Sequence, residues 1–268
     1  MLALERPLVM GIVNVTPDSF SDGGAFLDPA RAIAHAERLI EEGADLIDIG
    51  GESTRPGAQA VNAAEEWRRI EPVLGALREA PVPVAVDTMK PEVMRSALGA
   101  GASMINDVNA LRAEGALQAV AASDAAVCLM HMLGEPRTMQ IAPFYDDVVA
   151  VVGAFLRERI ASAESGGIAR GRIVADPGFG FGKTLAHNLE LLRRLSEIGE
   201  LGVPLLVGLS RKSMLGAITG REAGERLAAG VAAALLAVER GARIVRVHDV
   251  AATRDALAIL AAVKGSSY

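Results

Sequence analysis

The feature that most constrains the fold of this chain is a repeated alternation of short apolar segments with helical patterns. The alternation recurs about eight times within 268 residues, and segments 8–13 and 126–130 are typical of the apolar ones. Apolar strands of this kind occur in parallel sheets whose two faces are both covered by helices. About eight strand–helix repeats in roughly 250 residues are the dimensions of a (β/α)8 TIM barrel. The sequence therefore predicts an α/β TIM barrel, and a doubly wound open sheet is the alternative.

The helical patterns carry recognisable start signals. Pro29 and Pro91 stand at positions where a helix is expected to begin. A proline inside the helical pattern 63–79, Pro72, is expected to kink or break that segment. Because no Ser- or Pro-rich linker interrupts the alternation, we expect a single domain over residues 1–268.

Composition and charge exclude several classes of function. The net charge is −6 and no run of Lys or Arg is present, so we expect no binding to nucleic acid or to an acidic membrane. The longest apolar segment, 227–238, is too short to span a bilayer, and the N-terminus lacks a signal-peptide pattern. The single cysteine, Cys128, excludes a disulfide framework and fits a reducing compartment. The chain is therefore expected to be cytoplasmic.

Two polar segments between a strand and a helix are longer than simple connections. They cover residues 14–24 and 50–57, whereas such connections usually have about 2–6 residues. The Asn, Asp, Ser and Gly residues of the first segment supply oxygens, hydroxyls and backbone N–H groups, which a cation and a phosphate require. For this segment taken alone, a surface loop without a ligand is the alternative.

Polar side chains stand at the ends of nearly all predicted strands. In a TIM barrel the carboxyl ends of the strands meet on one face, where binding residues gather. Each residue has a structural explanation by itself, and His131 could be a core histidine whose hydrogen bonds are satisfied. Together they describe a wide polar pocket in which Arg55, Arg246 and His248 could bind an anion. The residues at the strand ends are Asn14, Asp48, Asp87, Asn106, His131, Asp176, Lys212, Arg246 and His248.

Two other patterns are discounted. Segment 178–184 resembles a phosphate-binding P-loop, but Pro177 occupies the position of its first glycine. Cys128 and His131 have the spacing of metal ligands, but one cysteine without a second cluster is a poor zinc site. Neither a P-loop nor a zinc site is therefore predicted.

The residue types at the strand ends limit the possible chemistry. Asp87, Asn106 and Asp176 can pair with a heterocycle that is rich in N–H groups. Lys212 could bond a carbonyl oxygen or a nitrogen of the same ring. Arg246 and His248 stand two residues apart on one strand, so they point to the same side and could hold a phosphate group with a hard cation. This combination predicts displacement of a phosphate group from a heterocyclic carbon.

Seven motifs, taken together, resemble those of the dihydropteroate synthases. They cover residues 14–24, 48–57, 86–88, 105–107, 176–183, 210–213 and 246–249, in the order of that family. The resemblance implies a TIM-barrel transferase of folate biosynthesis. Such an enzyme condenses p-aminobenzoate with 7,8-dihydropterin-6-ylmethyl diphosphate to 7,8-dihydropteroate, with SN1-like loss of diphosphate. The resemblance also implies Mg²⁺ as a cofactor, a homodimer, and inhibition by sulfonamides.

The resemblance further assigns roles to individual residues. The catalytic residues would be Asp87, Asp176, Lys212 and Arg246. The pterin would be held by Asp87, Asn106, Met130, Asp176, Phe181, Gly208 and Lys212. The diphosphate would be bound by Asn14, Thr54, Arg55, Arg246 and His248, and Asn14 would also bind Mg²⁺. The p-aminobenzoate site would comprise Phe20, Thr54, Arg55, Pro56, Phe181, Lys212 and Ser213.

Two other functions are considered for a chain with these motifs. A pterin-dependent methyltransferase, which passes a methyl group from methyltetrahydrofolate to a corrinoid, is not expected to carry the two long polar segments. A catalytically silent paralogue would be favoured by losses at Arg55, Lys212 or Arg246, and all three are present. Departures from the family pattern at Met89 and Asn109 lie outside the assigned residues. An active synthase is therefore favoured.

Overall fold

Eight parallel strands close into a barrel in which neighbours in sequence are neighbours in space. The computed structural model describes residues 5–16, 29–53 and 60–265. The strands are β1 Leu8–Asn14, β2 Leu46–Gly50, β3 Val84–Asp87, β4 Met104–Asp107, β5 Ala126–Met130, β6 Ile173–Asp176, β7 Leu205–Val207 and β8 Ala242–Val247. β1 pairs with both β2 and β8, which closes the sheet. The predicted TIM barrel is therefore confirmed, and the open sheet is wrong.

Helices connect the strands and cover the outside of the barrel. They are α1 Pro29–Glu41, α2 Ala63–Ala76, α3 Pro91–Gly99, α4 Ala116–Ala121, α5 Val148–Ser165, α6 Leu185–Arg193, α7 Leu195–Gly199, α8 Ser213–Thr219, α9 Leu227–Glu239 and α10 Val250–Val263. Ile47 and Ile49 of β2 belong to the same buried cluster as Ile70 and Leu74 of α2. This layer between the sheet and the helices is the main apolar core. Within the described ranges, no helix combines the length and the apolar character needed to cross a bilayer.

Three helices differ from the sequence predictions. α2 continues through Pro72 and ends at Ala76, since Ile70 and Val73 remain buried on either side of the proline and their packing outweighs one lost backbone bond. The region 185–198, predicted as one helix, forms α6 and α7, because Arg194 leaves the helical conformation. α8 was not predicted, because its seven residues are too few for a clear periodic pattern.

Inward-facing positions along the strands, two residues apart, form an apolar layer and then a polar layer. The apolar layer contains Leu8, Met10, Leu46, Ala85, Met104, Cys128, Val174, Leu206 and Ile244. Two residues further along β2–β8, the corresponding positions are Asp48, Asp87, Asn106, Met130, Asp176, Gly208 and Arg246. The polar side chains therefore rest on an apolar plug that fills the lower part of the barrel.

Candidate active site

Asp48 lies at the centre of a hydrogen-bonded cluster inside the barrel. Its side chain is fully buried, and Oδ2 accepts from Nε of Arg246 at 2.5 Å and from Nδ2 of Asn106 at 3.0 Å. Nη2 of Arg246 also donates to Oδ2 of Asp87 at 3.0 Å. The other oxygen of Asp48, Oδ1, is buried and has no hydrogen-bond partner among the described residues. Residues from four strands, β2, β3, β4 and β8, thus form one hydrogen-bonded cluster.

Sequence reasoning noticed Asp48 at a strand end but omitted it from the predicted binding residues. The signal was a single charged residue within the otherwise apolar strand Leu46–Gly50. A fully buried carboxylate requires a partner, and the partner here, Arg246, is distant in the sequence. Only the closed barrel brings β2 and β8 to opposite sides of β1.

The buried charges determine which ligands the cluster can stabilise. Burial raises the pKa of Asp87, and the Arg246 guanidinium opposes this shift. Burial also raises the pKa of Asp176, against the attraction of Lys212. Burial alone would lower the pKa of Arg246, but Asp48 and Asp87 outweigh that effect and raise this pKa. A ligand that gains positive charge would be stabilised by the carboxylates.

Lys212 and Phe181 form one wall beside this cluster. Nζ of Lys212 donates to the backbone oxygen of Phe179 and lies 5.0 Å from the centre of the Phe181 ring. Burial lowers the pKa of Lys212 to about 8, although Asp176 favours its charged form. Phe181 also packs on a small apolar cluster that includes Met130. The wall therefore combines an aromatic face with a cation, which suits a flat polar ring.

Two glycines keep the space beside the polar cluster open. A Cβ atom at Gly208 would lie 3.7 Å from Cβ of Arg246 and 3.9 Å from Nζ of Lys212. At Gly50, a Cβ atom would lie 3.7 Å from Oδ1 of Asn14 and 3.9 Å from Oδ2 of Asp87. Glycine at these inward positions leaves room for a ligand to contact the surrounding polar groups directly.

The residues at the end of β1 fit a magnesium ion that arrives with a phosphate ligand. Asn14 is half-buried and offers one amide oxygen at the open space beside Gly50. No group of three or more His, Cys, Asp or Glu residues in the described ranges could hold a metal ion. Mg²⁺ usually binds through one or two protein oxygens plus phosphate oxygens and waters. One amide oxygen at this position is compatible with that mode of binding.

Two further predicted site residues, His248 and Ser213, lie beyond the ends of β8 and β7. His248 follows β8, and its backbone N–H donates to Oγ of Ser210 at 3.2 Å, while Nδ1 lies 3.0 Å from the same oxygen. Ser213 is exposed at the first position of α8. The structure thus brings both residues to the carboxyl ends of β7 and β8. The predicted residues Phe20, Thr54, Arg55 and Pro56 lie outside the described residues.

His131 does not belong to the pocket. It follows the inward-facing Met130, and its buried ring packs against Phe155 of α5, with ring centres 5.0 Å apart. Nζ of Lys183 donates to its Nδ1 at 2.9 Å. Burial lowers the pKa of His131 to about 3, and the nearby Lys183 contributes. The interpretation of His131 as a satisfied core histidine is confirmed, and its inclusion in the polar pocket was wrong.

Comparison with known proteins places this barrel in a family. The family described as pterin binding enzyme matches residues 10–248. This chain belongs to the pterin-binding enzymes. The resemblance that the sequence motifs indicated is therefore confirmed.

Relatives and solved structures of pterin-binding enzymes give the same result. Dihydropteroate synthase of Neisseria meningitidis serogroup C is 54% identical over 96% of this chain and 92% of its own length. A structure of the Xanthomonas albilineans dihydropteroate synthase with 4-aminobenzoic acid has a TM-score of 0.93 and 59% identity, and covers 98% of this chain and 95% of that one. The same enzyme in complex with 7,8-dihydropteroate has a TM-score of 0.90 and 55% identity over 98% of this chain and 95% of that one. A Yersinia pestis dihydropteroate synthase with a sulfonamide drug complex has a TM-score of 0.95 and 48% identity over 99% and 97% of the two chains.

Proposed function

We propose that this pterin-binding enzyme is a dihydropteroate synthase, a transferase of folate biosynthesis. It would condense p-aminobenzoate with 7,8-dihydropterin-6-ylmethyl diphosphate and release diphosphate. The observation that carries the proposal is the buried Asp48–Arg246–Asp87–Asn106 cluster beside the wall formed by Lys212 and Phe181. Relatives about half identical over nearly their whole length support the same reaction. Sulfonamides, as analogues of p-aminobenzoate, would compete for the amine site.

The pterin ring would lie over the polar layer of the barrel. Asp87, Asn106 and Asp176 would accept from or pair with the N–H groups of the ring, and Lys212 would bond its carbonyl or nitrogen. Met130, Phe181 and the open position at Gly208 would line the slot. The carbon–oxygen bond to the diphosphate would break first, with its electron pair leaving on the diphosphate. Asp87 and Asp176 would then stabilise the cationic pterin.

The diphosphate and the amine would bind nearer the loops. The bonds from Arg246 to Asp48 and Asp87 use two of the five N–H donors of its guanidinium, so others could face the diphosphate. Asn14, Thr54, Arg55 and His248 would complete that end of the site. When bound through Asn14 and phosphate oxygens, Mg²⁺ would neutralise charge on the leaving group.

The amine nitrogen of p-aminobenzoate would attack the cationic carbon and form the new carbon–nitrogen bond. Its proton would pass to water or to the released diphosphate, so no strong general base is needed. Phe20, Thr54, Arg55, Pro56 and Ser213 would hold this substrate, with Phe181 and Lys212 shared with the pterin site. Substitution of Phe20 or Pro56 is therefore expected to weaken p-aminobenzoate and sulfonamide binding more than pterin binding.

The deciding experiment measures diphosphate release from the dihydropterin diphosphate with Mg²⁺, in the presence and absence of p-aminobenzoate. Release coupled to formation of 7,8-dihydropteroate is the expected result. Tight pterin binding without an amine-dependent product would instead favour a methyltransferase or a silent pterin-binding protein. An Arg246→Ala variant that stays folded should lose affinity for the diphosphate substrate, and unchanged kinetics would remove its role.

We further infer a cytoplasmic homodimer of single-domain chains. From residue 227 to residue 238, α9 carries no polar side chain at all. Leu227 and Leu236 are 47% and 41% exposed, and on the neighbouring α10 Ile259 and Val263 are 68% and 81% exposed. A helix that is apolar on every side is normally covered on every side. A second copy of the chain, packed on this face about a two-fold axis, would cover it.

A further inference from the structure

The glycine-rich segment 177–184 has a structural role that its likeness to a P-loop does not suggest. Lys183 is 3% exposed, and its side chain points back into its own loop. Its Nζ donates to the backbone oxygens of Gly178 at 2.9 Å and of Phe181 at 3.1 Å, and to Nδ1 of His131 at 2.9 Å. Each hydrogen of the ammonium group therefore has an acceptor, and no place is left for a phosphate.

The loop around Lys183 adopts a conformation that only glycine accommodates easily. Gly178, Gly180 and Gly182 have φ of 70°, 79° and 66°, in the left-handed region. A Cβ atom at Gly178 would lie 1.9 Å from the backbone oxygen of His131. The loop thus surrounds the ammonium group and packs against His131, which follows β5.

The same loop supplies contacts to the candidate active site on its other side. The N–H of Gly178 donates to Oδ1 of Asp176 at 2.7 Å. The backbone oxygen of Phe179 accepts from Nζ of Lys212, and the Phe181 ring packs beneath that ammonium group. Of the three residues assigned to the pterin slot here, Asp176 and Lys212 therefore contact this short loop, and Phe181 is part of it.

We propose that Lys183 is a positioning residue: its buried ammonium group holds the 178–182 loop in the shape that places Asp176, Phe181 and Lys212 against the pterin ring. This proposal rests on the proposed function for the identity of the ring. The three acceptors within 3.1 Å are two carbonyl oxygens and one imidazole nitrogen, so Lys183 reaches the site through the loop and not by touching the ligand. Its charge also favours the ionised form of Asp176.

A positioning role accounts for the burial of a lysine at position 183. A desolvated ammonium group is costly unless all its donors are satisfied, and burial lowers the pKa of Lys183 to about 7. Methionine of similar length could fill the same space without that cost. Removing the charge, however, would leave the oxygens of Gly178 and Phe181 without their donor, and the loop would lose its common point of attachment.

The test compares Lys183→Met with Tyr145→Phe as a matched control. Tyr145 Oη donates to the backbone oxygen of Gly182 at 2.8 Å, so its loss removes one uncharged bond from the same loop. In Lys183→Met, the Kd of 7,8-dihydropterin, measured by calorimetry without turnover, is expected to rise about tenfold or more. The KM for the pterin diphosphate should rise in parallel, and kcat at saturating substrates should fall by a smaller factor than the Kd rises, because Asp87 and Arg246 are held by Asp48 and not by this loop.

The control and a second variant keep the result interpretable. Tyr145→Phe should change the pterin Kd by less than about twofold. Lys183→Gln, which keeps two N–H donors, should have an intermediate effect and serves where Lys183→Met does not fold. A folded Lys183 variant with unchanged pterin affinity would overturn the proposal, as would an equal loss in Tyr145→Phe. Because the Kd is measured without turnover, a parent protein that binds pterin but makes no product would disprove the proposed function alone.

Discussion

At the scale of single residues, the site is organised by Asp48 as much as by the residues that the motifs identified. Asp48 contributes one carboxylate oxygen to two partners, Arg246 and Asn106, which come from strands far apart in the sequence. Since a guanidinium has a fixed planar shape, the carboxylate decides how Arg246 is oriented toward Asp87. Asp48, which has no assigned substrate contact, thus positions Arg246 and Asn106, which both have one.

Replacing Asp48 by Asn tests this arrangement. The variant keeps the side-chain shape but removes the charge that holds Arg246, so kcat/KM for the pterin diphosphate should fall about tenfold or more, with a stability loss of about 1–3 kcal/mol. Asp45→Asn is the control, because Asp45 also forms ion pairs, with Arg6 and Arg254, but precedes β2 at the opposite end of the barrel. It should lower stability and leave steady-state kinetics unchanged. Equal kinetic losses in the two variants would contradict the role of Asp48.

The lowered pKa of His131 predicts how the stability of the protein depends on pH. The folded chain keeps this imidazole neutral because its pKa is lowered to about 3, whereas its ordinary value is 6.5. Between these values the unfolded chain binds more protons than the folded chain, so this residue makes stability fall as the pH decreases below about 6.5. From pH 7 to pH 5 the contribution is about 2 kcal/mol. His131→Gln cannot titrate, so urea unfolding should show a smaller loss between these pH values. The same loss in both proteins would contradict this account.

At the scale of elements, the connections after the strands are fixed by buried polar groups. After β4, Asp107 accepts from the N–H groups of Asn109 and Leu111, each at 2.7 Å. These bonds hold Ala110 and Leu111 at φ of 52° and 56°, which residues other than glycine rarely adopt. Arg159 of α5 adds a bond from Nε to the oxygen of Ala110 at 2.9 Å. Specific side chains, and not only glycines, therefore shape these loops.

Two glycine-to-alanine substitutions should have opposite effects on stability. In Gly178→Ala, the new Cβ atom would lie 1.9 Å from the oxygen of His131 at a φ of 70°, so the free energy of unfolding should fall by about 3 kcal/mol or more. In Gly75→Ala, within α2, no atom lies within 4 Å of the new Cβ atom, so the helix should gain about 0.5–1 kcal/mol. Urea unfolding midpoints measure both effects. A Gly178→Ala variant as stable as the parent would show that the loop has a different shape.

At the scale of the whole molecule, the barrel has two ends with different tasks. The lower end is filled by apolar side chains such as Met10, Met104 and Leu206, and the polar residues lie above them. Because this plug is apolar and buried, the charges of the polar side chains above it are weakly screened.

The apolar face of α9 and α10 gives a prediction about assembly. Placing a charge on the exposed Ala232 of α9, as in Ala232→Glu, should convert a dimer to monomers, because an unpaired carboxylate would be buried between the copies. Val151→Glu is the control, since Val151 is 44% exposed on α5, another part of the outer surface. Sedimentation velocity distinguishes the two states. A monomeric parent protein, or a dimer that Ala232→Glu leaves intact, would rule out this face as the interface.

Much of the fold and part of the site could be predicted from the sequence because they depend on local patterns. Short apolar segments, helix start signals and polar strand ends are each encoded by neighbouring residues, and together they predict eight repeats closing into a barrel. The face that carries Asp87, Asn106 and Asp176 follows from the same pattern, since it lies where the strands end. The helix boundary at Arg194 was missed, because no Gly or Pro marks the end of α6 in the sequence. At Pro72, where a kink or a break was predicted, α2 is not broken, and Ile70 and Val73 are buried on either side of the proline.

The choice of which polar residues come into contact depends on how the strands and loops pack in three dimensions. His131 follows an apolar strand, and Asp176 ends one. Because successive side chains of a strand point to opposite sides, His131 is directed into the outer core and Asp176 into the barrel. Lys183 has the sequence context of a phosphate-binding lysine, but the loop folds back so that its ammonium group contacts carbonyl oxygens. The barrel and the face that carries the polar residues thus follow from local sequence patterns. The pairing of Asp48 with Arg246, on strands that meet only through β1, required the closed sheet, because charges so far apart along the chain are brought together only by the tertiary fold.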